Sequence, residues 1–355
     1  MRAIVFAIAL SLMPLPAAAT NSRPELMKVL EDLMTWLPGE YTSVPQAFLE
    51  RNLGAPPDGE HEVFYRVFAR IEAPHLAEHV IYTQIRLDGD DGPMFPGQQI
   101  VFLISMNEEL GAVSISGRRI KDPHNFVDAH LRPDVWPDLE PDPDFGGNCT
   151  FNWRRHGKQL RGLLGEFGKC TMVSKNTGHK MTWDAEWILN PEELWVYDNG
   201  YLEDGSLFFG REDRTHLRMY KARRFECFAA LRFEDGSNQV INPFFMHDRG
   251  DIFTIITDEP EPRELHLEFL TSLWPSNSGR NFVDLMRLTL HDGEPGESSQ
   301  EDVIGVAWAT PESGRVGFST DWASGRCKLA DPEDPRFIEA MQWKGEDQAV
   351  ADHPR

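Results

Sequence analysis

Apolar and polar residues alternate in twos along much of this chain, which is the period of a half-buried strand. Glu62 to Glu72 sets Val63, Tyr65, Val67, Ala69 and Ile71 against Phe64, Arg66, Phe68 and Arg70. His79 to Asp88 sets Ile81, Thr83, Ile85 and Leu87 against Tyr82, Gln84 and Arg86. Gly89-Asp90-Asp91-Gly92 is a hairpin turn; Gln98 to Met106 returns from it, and Gly111 to Ile120 adds another strand. The densest stretch runs from Gly146 to Lys221 and reads as about seven short strands broken by Gly, Asn and Asp turns. Its first strand places Cys149, Phe151, Trp153 and Arg155 on one face, with Thr150, Asn152 and Arg154 on the other. Lys158 to Leu164 follows, and Cys170 opens the next strand. A helix precedes all of this. Ser22 and Glu25 have capping-box spacing, and Leu26, Val29, Leu30, Leu33, Met34 and Leu37 form one stripe up to Pro38-Gly39.

So many short antiparallel strands must close or be covered, because open edges aggregate. The expected fold class is all-β: a calycin-like antiparallel β-barrel over residues 20–224, with the helix as a plug or flank. A second, smaller β-rich domain is expected over 225–330. Its candidate strands are Phe225–Glu234, Asp251–Asp258, Glu264–Leu273, Phe282–His291, Val303–Thr310 and Gly314–Thr320. Residues 331–355 read as a short helix and a polar tail. Residues 1–19 read as a signal peptide: Arg2, an apolar run from Ala3 to Leu12, and Pro16-Ala17-Ala18-Ala19. That run is too short to span a bilayer, so a periplasmic or secreted protein without a membrane span is expected.

Export permits disulfides. Four cysteines allow three pairings, and pairing within each half, Cys149–Cys170 and Cys227–Cys327, is the simplest. No two cysteines have metal-ligand spacing. The acids at Asp138, Glu140, Asp142 and Asp144 alternate, but Pro141 and Pro143 and the lack of a twelfth-position Glu favour a solvated loop over a calcium loop. With 35 Lys plus Arg against 57 Asp plus Glu, the net charge is −22, which argues against nucleic acid as a partner. There is no GxSxG, HExxH, P-loop or dinucleotide fingerprint. His156, His179 and His216 each stand alone in polar settings. The notable chemistry is aromatic: Trp153, Trp183, Trp187, Trp195, Tyr197 and Tyr201 crowd the dense stretch. Each one singly suits a core. Together with a few inward polar groups they suit a flat conjugated ligand. An inward Arg155 would need an anionic partner.

Several of these segments occur as an ordered set. Leu37-Pro38-Gly39-Glu40-Tyr41-Thr42-Ser43 with Gln46-Ala47, Tyr82-Thr83-Gln84 and Gln98 come first. Gly147-Asn148-Cys149, Trp153-Arg154-Arg155, Gly165 to Cys170, Asp198-Asn199-Gly200-Tyr201 and Phe209-Gly210 to Tyr220-Lys221 follow. In order and spacing the set resembles the T-type (CpcT/CpeT) chromophore lyases, over about residues 24–223. The resemblance implies a homodimeric barrel that holds a linear tetrapyrrole (bilin) and helps attach it to a cysteine of an acceptor protein, with no further cofactor. It implies that Asp198 accepts hydrogen bonds from pyrrole N–H groups and that Arg155 and Arg86 pair with propionates. Trp153 and Trp183 would form flat walls, Tyr82 and Gln84 would meet ring carbonyls, and Tyr201 would stand at the mouth. Two readings from other classes remain beside it: a lipocalin-like carrier of an apolar molecule, and a structural envelope protein.

Overall fold

The computed structural model describes residues 22–340 except 57–58, 96, 144–148, 166–168, 174–177, 277, 294–301 and 338. The expected leader, Gly147-Asn148, Asp144 and the tail beyond residue 340 lie outside the described residues. Helix α1 (Arg23–Trp36) begins where its capping box predicts, with the Ser22 N–H donating to the Glu25 carboxylate at 2.7 Å. It buries Leu26, Val29, Leu33 and Met34.

Strand β1 (Gly39–Thr42) and helix α2 (Val44–Asn52) follow. Next come β2 (Phe64–Ile71), β3 (His79–Leu87), β4 (Ile100–Asn107) and β5 (Ala112–Arg119). The dense stretch supplies β6 (Thr150–His156), β7 (Gln159–Leu164), β8 (Lys169–Val173), β9 (Lys180–Leu189), β10 (Glu193–Leu202), β11 (Leu207–Phe209) and β12 (Leu217–Lys221). The ring runs β10-β12-β1-β2-β3-β4-β5-β6-β7-β9 and closes through the β9–β10 hairpin, so ten antiparallel strands form a barrel. Strands β8 and β11 extend β9 and β10 outside the ring. Alternation sorts the side chains. Phe68, Ile81, Phe102, Val113, Phe151, Trp153, Leu160 and Trp187 share one core with Val29, Leu33 and Leu37 from the α1 region, so α1 plugs one end. A second layer lies outside the wall: residues 123–138, in short 3-10 turns, cover Val80, Tyr82 and Val101.

From Arg224 to Leu329 the chain forms two four-stranded sheets. One is ordered β14 (Asn238–His247), β13 (Arg224–Arg232), β20 (Ala323–Leu329), β19 (Arg315–Ser319). The other is β15 (Arg249–Ile256), β16 (Glu264–Pro275), β17 (Phe282–Asp292), β18 (Val303–Ala309). Phe225, Leu231, Leu267, Phe269, Met286 and Leu288 are among the residues filling the space between them. Both disulfides are present, Cys149–Cys170 and Cys227–Cys327, which fits an oxidising compartment. Among the described residues no helix is long and apolar enough to cross a membrane.

Beyond residue 224, two strands were not expected from the sequence. Strand β14 contains Pro243, which argues against a central strand, and it is in fact an edge of its sheet, where proline is tolerated. Strand β20 reads Ala-Ser-Gly-Arg-Cys-Lys-Leu, with little apolar alternation. Its neighbour β19 supplies the bulk: the Phe318 ring lies where a side chain at Gly325 would stand.

Candidate functional site

The lumen is graded along its axis. Towards α1 it is filled: Trp153, Phe68 and Leu160 are almost fully buried, and the Trp187 ring meets Phe151 (5.0 Å), Phe102 (6.1 Å) and Phe68 (6.4 Å). Towards the other end Phe64, Ile100 and Trp183 pack on that core but are only partly buried. The Trp183 ring stands edge-on to Phe151 at 5.9 Å. Cys170 faces Trp183 across the β8–β9 ladder, so the Cys149–Cys170 link ties the residue that leads into β6 to β8 at this end.

Between the open end and the aromatic floor lie two charged side chains. Arg66, on β2, is 5% exposed. Its guanidinium lies over the faces of Phe68 (4.5 Å) and Trp187 (4.7 Å), and its Nε–H donates to Thr83 at 3.1 Å. Among the described residues no acceptor pairs with its terminal nitrogens. Burial lowers it to about 10, with Asp198 opposing, so it stays a cation at neutral pH. Asp198, on β10, is half-buried as a residue, with its carboxyl group enclosed. It accepts from the indole N–H groups of Trp183 and Trp187, at 3.3 Å each. Burial pushes this carboxyl up to about 7, against the pull of the Trp187 N–H, Arg66 and the Trp183 N–H. The two charges influence each other without forming a direct ion pair.

The eight residues expected at one site are dispersed over four places. Asp198 and Trp183 meet at the open end, as just described. The N–H-accepting role expected of Asp198 is filled by the protein's own indoles. Trp153 is in the lumen but 1% exposed, deep in the filled part. Arg155 does share its face, but it pairs with Asp32 of α1 and lies over the Trp36 ring at 5.1 Å. Tyr82, Gln84 and Arg86 face out of the barrel, under residues 123–138. Tyr82 Oη lies 2.7 Å from both Gln84 Oε1 and the Phe126 carbonyl, and its single proton serves one of these acceptors at a time. Gln84 Nε2 donates to Asp128, and Arg86 pairs with Asp128 at 2.9 Å. These three are structural ties: the strand's period puts even positions outside, and Ile81 and Thr83 inside. Tyr201 is on the outer face of β10, where its hydroxyl accepts from Asn199 Nδ2 at 3.0 Å. Arg66 was not singled out, although its position between Phe64 and Phe68 on one strand face marks it as inward.

Two further places deserve comparison. Asp90, His247 and Asp251 are buried, with potential ligand atoms within 4.8 Å of one another. A guanidinium already serves as their cation: Arg224 lies 3.3 Å from Asp90 and 3.7 Å from Asp251. His247 Nδ1 accepts the Arg249 N–H at 3.2 Å, which leaves the ring proton on Nε2 and no free lone pair for a metal. On the outer face of β4–β6 an open depression of about 470 Å³ is lined by small polar side chains, Ser105, Ser114, Ser116, Thr150 and Asn152 among them. Ser114 Oγ donates to Asn152 Oδ1 (2.8 Å) and Asn152 Nδ2 to the Gly165 carbonyl (2.8 Å), so its buried polar groups are mutually satisfied.

No protein-family model and no curated protein matches this chain. Among solved structures it is similar to the CRL protein of Arabidopsis, with a TM-score of 0.41 and 19% identity, covering 57% of this chain and 100% of that one.

Proposed function

We propose that the barrel is an exported binding protein for a flat, conjugated small molecule of the linear-tetrapyrrole class, taken up at its open end. The observation that carries this reading is the aromatic floor of Phe68, Trp187 and Phe151, topped by a half-buried Trp183 and the enclosed Arg66 and Asp198. Aromatic walls suit a planar π-system, and a few buried polar groups fix its orientation. The filled α1 end favours a ligand lying in the mouth over the deep apolar cargo of a lipocalin-like carrier. Attachment of such a pigment to an acceptor thiol is the finer part of the reading and rests on the resemblance to the T-type lyases.

Titrating the mature full-length protein with biliverdin while recording its visible spectrum tests this. Saturable binding with a shifted band is expected. Trp183→Leu removes one wall and should weaken binding roughly tenfold, about 1.4 kcal/mol. A spectrum that stays that of free pigment at every protein concentration sinks the proposal.

A further inference from the structure

We infer that Arg66 is the anion-recognition residue of this lumen, and that a ligand carboxylate takes the place of Asp198 as its counter-ion. The inference rests on the ligand reading above and adds the chemistry that selects the ligand. The two arginines expected to bind carboxylates are engaged with protein acids, Arg155 with Asp32 and Arg86 with Asp128. Arg66 differs from both. It is 5% exposed, held by its Nε–H on Thr83 and by two aromatic faces. Its terminal nitrogens, the fork that matches a carboxylate, are without an acceptor among the described residues. These nitrogens are not among the fully buried atoms without a partner, so they are within reach of solvent and of a ligand that enters the lumen. Asp198 balances its charge from a distance but is itself bonded to Trp183 and Trp187.

A consequence follows for protons. Arg66 on β2 is the charged group facing Asp198; from β9 it meets only the neutral indoles of Trp183 and Trp187. A ligand carboxylate on Arg66 brings a second negative charge beside Asp198 and raises its affinity for a proton. One proton moves from solvent to Asp198 as the anion binds, and no covalent bond changes. Because that carboxyl already titrates near neutrality, the affinity for an anionic ligand should fall as pH rises through about 7.

Biliverdin, which carries two carboxylates, and its dimethyl ester, which carries none, separate the possibilities on the full-length protein. Wild type should prefer the free acid by roughly 10- to 100-fold at pH 7. Arg66→Met should bind acid and ester alike, and its retained ester binding shows that it is folded; Arg66→Lys should recover part of the preference. Asp198→Asn should bind the acid at least as tightly as wild type, with an affinity flat from pH 6 to 8.5. Calorimetry in buffers of different ionisation heat should show proton uptake for wild type and none for Asp198→Asn. If Arg66→Met keeps the preference, or Asp198→Asn loses acid binding, the inference is wrong. If wild type binds acid and ester equally, the inference fails while the binding proposal stands. If wild type binds neither, both fall.

Discussion

At the scale of single residues, a polar side chain's role here is decided by what it meets across long sequence distance. Arg155 and Trp153 share a face, as alternation predicts, yet the partner of Arg155 is Asp32 on the plugging helix, a residue that an apolar-stripe reading passes over. Asp32 is buried in that stripe because it has a guanidinium to meet. The same scale sets how tightly the floor is built. A Cβ on Gly162 would stand 2.5 Å from the Trp153 ring, and Trp153 is 1% exposed with no room to yield. Gly162→Ala should therefore destabilise by about 1–3 kcal/mol through overpacking, read as a lower urea midpoint at unchanged slope. An unchanged midpoint would show that the indole can move.

At the scale of elements, strands with strict alternation were legible, and β2 to β7 fall within about two residues of their expected bounds. Short or covering elements were not. Strand β1 is four residues long, and residues 123–138 have no period at all. That covering segment changes the meaning of β3. Without it, Tyr82, Gln84 and Arg86 are polar groups on a barrel strand and look like a ligand site; with it, they are the attachment points of a cap. Asp128 is the centre of the attachment: its carboxylate takes Gln84 and Arg86, and its own N–H donates to Gln84 Oε1 at 2.9 Å. Arg86 and Asp128 are 2% and 3% exposed, so breaking the pair from one side removes the carboxylate that balances a buried guanidinium. Asp128→Ala should cost about 3–5 kcal/mol and raise hydrogen exchange across 123–138. Replacing both partners by apolar residues should recover much of the loss. A single variant as stable as wild type would mean that the cap is held by its apolar contacts alone.

At the scale of the molecule, the barrel and the two sheets that follow it meet around one guanidinium. Arg224 opens the first strand after the barrel, and its side chain reaches back to Glu40 on β1 (2.7 Å), the Tyr65 hydroxyl on β2 (3.0 Å) and Asp90 in the β3–β4 turn (3.3 Å), with Asp251 of β15 at 3.7 Å. Three acids thus surround one cation from two parts of the fold. Burial pushes the Glu40 carboxyl up, but Arg224 and the Tyr65 hydroxyl outweigh it, and the carboxyl sits below its ordinary value. A depressed carboxyl stabilises the fold above its unfolded value, about 4.3, and that contribution is lost as pH falls. Wild type should accordingly lose stability on acidification below that value. Arg224→Met reverses the sign. With the cation gone, the burial that pushes the Glu40 carboxyl up is no longer offset by Arg224, so that carboxyl rises above its unfolded value and costs stability as it ionises. The variant should be less stable than wild type by about 3 kcal/mol or more at pH 7.5, and should melt higher at pH 5.5 than at pH 7.5. Melting curves of both proteins across that range decide the matter. Parallel profiles would show that water or rearrangement relieves the acids once the guanidinium is removed, and that the contact between the two parts rests on apolar packing instead.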